Sequence, residues 1–236
     1  MKNKGIIRTV AGIVASLCLI TSIILLSVRI VCFSRSIYLR EYEEAETAFF
    51  MDTTNDELMK ATEALLLYIK GERDTIMIDI MLDGEQTPFY NEREAEHMVD
   101  VKVLYENAMS VMLIGFVAFS VLTALQTIVF KKQAYKSIIN GFLIANIIAV
   151  LVIGALAVFA LCDFDTFWTS FHHVFFTNDL WQMNIFTDRM IQLFTGGDFF
   201  FKICMGVVVC TLVIDAVLLA CAFFFKHRLK KKNAWN

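Results

Sequence analysis

The chain has 236 residues, of which 58% are hydrophobic and only 19% charged, with a single proline. That composition excludes a water-soluble globular enzyme, a disordered chain, a nucleic-acid binder and a secreted disulfide scaffold. The formal net charge of −3 is the residue of two opposed populations that occupy different parts of the chain.

Residues 10–28, 108–130 and 138–161 carry no charge, and residues 203–225 are interrupted only by Asp215. At about 1.5 Å per helical residue, each run crosses a hydrocarbon core of roughly 30 Å. None alternates, so the pattern predicts spanning helices at about 10–33, 108–130, 138–161 and 203–225 rather than barrel strands. The first run reads as an uncleaved anchor. The residues that follow it, Arg29 to Phe33, offer no small-x-small cleavage site, and Arg29 stands where a lipidation box before Cys32 needs an aliphatic residue.

Basic residues fix the expected orientation. Lys2, Lys4 and Arg8 precede the first run, Lys131, Lys132 and Lys136 separate the second and third, and Lys226, Arg228, Lys230, Lys231 and Lys232 follow the fourth. The positive-inside rule then predicts a multi-pass membrane protein with both termini cytoplasmic. Residues 34–107, with 18 acids against seven bases, and residues 162–202 fall outside. The predicted fold class is all-α integral membrane: a four-transmembrane-helix bundle with an extracytoplasmic cap of helices and a small β-hairpin in 34–107, and an interfacial aromatic segment in 162–202.

Residues 36–50 form a charged amphipathic stretch. Thr54 with Glu57 makes a capping box, and Leu58, Ala61, Leu65 and Ile69 follow at helical spacing as far as Gly71. Asp83-Gly84 is a two-residue hairpin signal, closed by Pro88. A second capping box, Asn91 with Glu94, opens a helix with no breaker before residue 130. Residues 164–201 contain ten phenylalanines with Trp168 and Trp181, mixed with polar residues, a composition suited to a headgroup boundary. Thr195-Gly196-Gly197 reads as a turn and Asp198 as a cap for the fourth long helix.

Three of the four histidines, His97, His172 and His173, fall in the outer segments, where chemistry is expected. His97 shares a helical face with Arg93, Asp100 and Val101, so Asp100 is placed to hold one ring nitrogen and leave the other as a base. His172 lies among Phe171, Phe175 and Phe176, where a low dielectric favours the neutral ring. The alternative is an interfacial histidine that only bonds nearby backbone. No zinc-type spacing is present, and adjacent His172 and His173 point to different sides of a helix, so neither a metal nor a cofactor is expected. The six cysteines lie in or beside the crossings without pairing patterns and read as buried apolar residues. Asp215 is costly in mid-membrane, with Asn146 or Gln126 as possible partners and a structural or a mechanistic role equally open.

The run Phe89 to Lys102 (FYNEREAEHMVDVK) and the run Phe171 to Trp181 (FHHVFFTNDLW) resemble the lipoprotein intramolecular transacylase family of Gram-positive bacteria. The resemblance extends over essentially the whole chain. It implies a membrane acyltransferase acting on diacylglyceryl-modified lipoproteins amid membrane lipids. One acyl chain, that at the glyceryl sn-2 position, moves to the α-amine of the lipoprotein's N-terminal cysteine. The family's two catalytic histidines match His97 and His172, and Arg93, Asp100 and Asn178 fall beside them as supporting groups.

The residues suit that chemistry. Ester and amine belong to one molecule, so orientation alone gives a large effective molarity without an acyl-enzyme. An amine with a pKa of about 8 needs a modest base, and a histidine of about 6.5 is suited to the task. His97 is taken here as the base and His172 as the group serving the oxyanion or leaving oxygen, with the reverse order also compatible. The rival reading is a non-enzymatic sensor or binding and assembly protein. The two are separated by whether His97 and His172 converge, within about 10 Å, on one shared site.

Overall fold

The computed structural model describes residues 2–194 and 199–233; the expected turn at 195–197 and the cap at Asp198 lie outside the described residues. In chain order the helices are α1 (Lys2–Cys32), α2 (Arg35–Glu44), α3 (Thr47–Phe50), α4 (Asn55–Lys70), α5 (Glu92–Phe130), α6 (Lys132–Cys162), α7 (Phe164–Phe175), α8 (Arg189–Gln192) and α9 (Phe199–Asn233). A two-stranded antiparallel hairpin, β1 (Asp79–Leu82) and β2 (Glu85–Pro88), lies between α4 and α5. Four helices are long and apolar enough to cross a membrane, and the chain is a multi-pass membrane protein.

The chain divides into two compact units. The first comprises residues 1–29, 110–158 and 205–236 and holds most of the apolar runs. Its helices approach closely where side chains are absent. A Cβ on Gly141 of α6 meets the Gly12 carbonyl carbon of α1 at 2.3 Å, and one on Gly115 of α5 meets Ser22 Oγ at 2.2 Å. Ser22 Oγ donates to the Met112 carbonyl (2.8 Å) and Ser137 Oγ to the Arg8 carbonyl (2.6 Å), and Arg8 also bonds Gln133. Small residues and hydroxyls of this kind let helices meet where lipid offers no hydrophobic drive. Ile20, Phe142 and Ala145 fill the adjoining space.

The partner expected for Asp215 is not found. Asn146 Nδ2 donates instead to the Phe142 carbonyl of its own helix (3.0 Å), while Asp215 Oδ1 and both amide atoms of Gln126 are buried without a hydrogen bond. A short amide one turn from a carbonyl with a spare lone pair satisfies itself locally before it reaches another helix.

The second unit comprises residues 30–109 and 159–204. The stretch 36–50 breaks into α2 and α3 at Glu46, whose φ of 51° is left-handed. α4 starts on the expected cap, with Thr54 accepting from the Glu57 amide, and ends at Gly71 with φ of 77°. Only half of that box forms. Glu57 turns away from the cap to accept from the Met81 amide (3.1 Å) and to pair with Lys60, so it tethers the hairpin to α4. Asp83 and Gly84 carry φ of 51° and 78°, as a two-residue turn with both centres left-handed requires. Leu58, Ala61 and Leu65 bury the α4 stripe against Tyr38, Tyr42, Ile76, Ile80, Phe89 and Tyr90. Each such large side chain contributes on the order of 1.5–3 kcal/mol by leaving water. The buried tyrosines are not left wanting: Tyr42 bonds Thr62 Oγ1 (2.6 Å) and Tyr90 donates to the Ala61 carbonyl (2.9 Å).

The box at Asn91 is complete. Glu94 N donates to Asn91 Oδ1 (2.9 Å) and Asn91 N to Glu94 Oε2 (2.7 Å), and α5 then runs unbroken for 39 residues. At about 1.5 Å per residue that is nearly twice the length a bilayer core needs. Its polar first turns, which carry His97, therefore stand clear of the uncharged run at 108–130.

Candidate active site

His97 sits on the polar start of α5, and His172 near the end of α7, and the second unit contains both. Their ring centroids lie 6.5 Å apart, and they are 7% and 5% exposed. His173, one residue on, points to a different side of the helix and is exposed. Phe176 stands against both rings, at 5.3 Å from His97 and 5.7 Å from His172. Trp168 and Trp181 flank His172 with centroids at 4.4 and 4.5 Å, and the Trp181 indole is stacked on the imidazole at 22°.

The hydrogen bonds determine what each ring can do. His172 Nδ1 lies 2.7 Å from the Trp168 carbonyl, one turn back on α7. A carbonyl only accepts, so that nitrogen carries the proton and Nε2 is left with the lone pair. His97 Nδ1 is buried with no hydrogen-bond partner. The expected orientation of His97 by Asp100 is therefore not realised. Asp100 instead accepts from Asn178 Nδ2 at 2.8 Å, because the irregular chain after α7 brings a neutral amide to the carboxylate.

Burial favours the neutral form of both rings. It pushes His97 down to about 4, helped by His172 nearby and opposed by Asp100. Burial likewise lowers His172, against the Trp168 carbonyl, which favours its charged form.

The three expected supporting residues act on the segment that carries Trp181. Arg93 Nη2 donates to the carbonyls of Asp179 and Gln182, both at 2.9 Å. Asn178 Oδ1 accepts from the Leu180 amide (3.1 Å), while its amide reaches Asp100. Residues 178–182 are thus clamped to α5 from both ends, with Trp181 between the clamps.

Four polar residues outside the expected set fasten the same two segments. Asn91 Nδ2 donates to Asp188 Oδ1 (2.8 Å), the Met190 amide to Glu94 Oε1 (2.5 Å), and Arg189 to the Pro88 carbonyl. Asp188 also accepts from the Asn184 amide (2.7 Å) and Thr187 Oγ1 (3.2 Å). Glu94 is fully buried, and its desolvation raises its pKa. Asn91 and Glu94 are legible in sequence only as a helix cap, and nothing in the local pattern at 188–189 marks a link across nearly a hundred residues.

Trp181 was expected at a headgroup boundary on composition, but it is buried, and its indole nitrogen has no hydrogen-bond partner. The exposed apolar side chains of this segment include Trp168, Phe171, Val174, Phe175, Ile185 and Phe186. Among the described residues no three of His, Cys, Asp and Glu gather to hold a metal ion, and the six cysteines are free thiols.

Residues 13–201 match the family described as lipoprotein intramolecular transacylase Lit. The chain is similar in fold to the membrane integral lipoprotein intramolecular transacylase Lit from Bacillus cereus. One such structure has a TM-score of 0.73 at 19% identity, covering 98% of this chain and 100% of that one. A histidine-to-alanine variant of it has a TM-score of 0.76 at 20% identity, covering 99% and 98%. At this identity the likeness establishes the fold. No curated protein matches the chain.

Proposed function

Because the chain belongs to the lipoprotein intramolecular transacylase family, we propose that it moves the sn-2 acyl chain of a diacylglyceryl lipoprotein to the α-amine of the same N-terminal cysteine. The observation that carries the site assignment is the convergence of His97 and His172, 6.5 Å apart, in one aromatic, water-poor setting.

The proposed roles follow from the hydrogen bonds and differ in order from the simplest sequence reading. His172 presents an unprotonated Nε2 because its Nδ1 proton is held by the Trp168 carbonyl, so His172 is the base. His97, pushed down to about 4, is a poor match for an amine of about 8, but a neutral imidazole makes a good N–H donor. In the reaction the amine nitrogen attacks the ester carbonyl carbon and a C–N bond forms. His172 takes the amine proton, and His97 donates to the carbonyl oxygen as it becomes negative. Collapse breaks the bond to the glyceryl oxygen, which receives the proton from His172, leaving an amide and a free hydroxyl. No atom enters or leaves, so no acyl-enzyme, water or cofactor is required. The outer placement of this site, with both termini cytoplasmic, rests on the basic flanks of the helices.

The test must respect that the product is an isomer of the substrate, with unchanged mass. A synthetic diacylglyceryl lipopeptide with a free α-amine, incubated with the purified chain in detergent, is expected to lose reactivity toward an amine label. Its fragment ions should place one acyl chain on nitrogen. A wild-type chain that leaves the amine intact while folded would falsify the transacylase reading. H172A or H97A retaining full conversion sinks the site assignment alone.

A further inference from the structure

Apart from His97, one other buried polar atom in the site has no partner. Trp181 is 9% exposed, and its Nε1 is shielded from solvent without a hydrogen bond. An indole N–H is only a donor, and leaving it unmet in an apolar setting is unfavourable. The residue is nevertheless held there deliberately. Arg93 grips the carbonyls on either side of it, at Asp179 and Gln182. The Asn178 link to Asp100 anchors the near end of the segment. The ring those clamps present lies flat on His172, 4.5 Å away, so its N–H originates within a ring's width of the proposed base. His173 and Phe176 wall the same corner, with His173 edge-on to Trp181 at 5.6 Å and Phe176 at 5.7 Å from His172. Neither takes the indole proton.

Two unmet buried groups beside one base, His97 Nδ1 and Trp181 Nε1, match the needs of a single acceptor. A carbonyl oxygen turning into an oxyanion gains capacity for a further hydrogen bond just as its charge develops. We infer that Trp181 is a catalytic residue whose indole N–H donates, together with His97, to the oxygen of the reacting acyl carbonyl. The inference rests on the transacylase reading above. The bond changes are those already given: C–N forms, the ester C–O breaks, and the proton passes from the amine through His172 to the glyceryl oxygen. Trp181 moves no proton; it stabilises the charge held on oxygen between the two steps.

The test is Trp181→Phe, which keeps a ring to stack on His172 and removes only the donor. In the lipopeptide assay W181F is expected to lower kcat roughly 100-fold, as loss of one oxyanion donor does. KM and the pH midpoint of kcat/KM should stay where they are, since the base and its stacking are retained. W181F within about threefold of wild-type kcat overturns the inference. So does an effect that appears as a moved pH midpoint, which assigns Trp181 to tuning His172 instead. Wild type without conversion overturns the transacylase reading and this inference together, whereas equal activity of wild type and W181F overturns this inference alone. If W181F fails to fold, judged by thermal unfolding in detergent, the indole proton resonance of Trp181 in the wild type decides. Binding of a lipopeptide in which a phosphonate replaces the acyl ester should move it strongly downfield, and an unmoved resonance rejects the donor role.

Discussion

The two units of the chain are held together by different physics. In the unit that carries most of the apolar runs, side-chain hydroxyls and amides bond mainly within their own helix. Ser16 reaches Gly12, Ser27 reaches Ile23, Thr127 reaches Thr123 and Asn146 reaches Phe142, each four residues back. The helices meet by close approach at Gly12, Gly115 and Gly141, with a few hydroxyl and amide bonds beside it, Ser22 to Met112, Ser137 to Arg8 and Arg8 to Gln133. In the other unit, polar bonds join residues about 80 to 100 positions apart: Asp100 with Asn178, Arg93 with Asp179 and Gln182, Asn91 with Asp188, and Glu94 with Met190. Fit suffices where helices only need to associate. Groups that must meet a substrate at fixed distances need directional bonds, and the proposed site lies where those bonds are concentrated.

The two units therefore break in different ways. The largest effect belongs to the histidines: H172A and H97A are each expected to lower turnover by roughly 10²–10⁴-fold, with thermal unfolding in detergent still cooperative. Collapse of the fold in both variants rejects their assignment as functional rather than structural residues.

Next comes acidity. His97 in the folded chain is held down to about 4, against about 6.5 when unfolded. Below 6.5 the unfolded chain binds the proton and the folded chain does not, so stability falls as pH drops from 6.5 to about 4 and is restored above it. The expected loss is about 3 kcal/mol by linkage. His97→Gln should flatten that limb of a plot of unfolding temperature against pH, and an identical slope in both proteins removes His97 as its source.

The shape-packed unit should be vulnerable to bulk. Gly141→Val puts a side chain where even a Cβ meets the Gly12 backbone. A loss of about 1–3 kcal/mol is expected, with kcat of the remaining folded fraction unchanged, read by thermal unfolding and active-fraction titration. For the bonded unit the converse applies. Arg93→Lys keeps the charge but not the fork that spans two carbonyls. It is expected to reduce turnover about tenfold with little change in unfolding temperature, and full activity in R93K removes the clamp from the catalytic account. The smallest effect is at the edge of the fold, where Thr54→Ala should cost about 1 kcal/mol through its lost cap and leave turnover alone.

Sequence reasoning succeeds here wherever structure is governed by neighbours in the chain. The caps at Thr54 and Asn91, the hairpin at Asp83-Gly84 and the unbroken α5 all depend on residues a few positions apart, and all four are present. It misleads where a local option competes with a distant one. Asp100 lies one turn from His97, yet its carboxylate is taken by Asn178. Glu57 leaves its own cap for the Met81 amide. Trp181 has the composition of an interfacial anchor around it, but no period in an irregular segment says which side chain turns inward. The histidine pair itself comes from resemblance, and the structure adds what resemblance lacks: which nitrogen of His172 is protonated and what presses on each ring.

The grip of Arg93 on residues 178–182 falls on two main-chain carbonyls and on no side chain of Asp179 or Gln182. The side chains of those two residues enter the shape of this segment through one long, exposed bond, Gln182 Nε2 to Asp179 Oδ1 at 3.4 Å. Libraries built at positions 179 and 182 can vary chemistry beside Trp181 while the scaffold stays put, and position 93 has no such latitude.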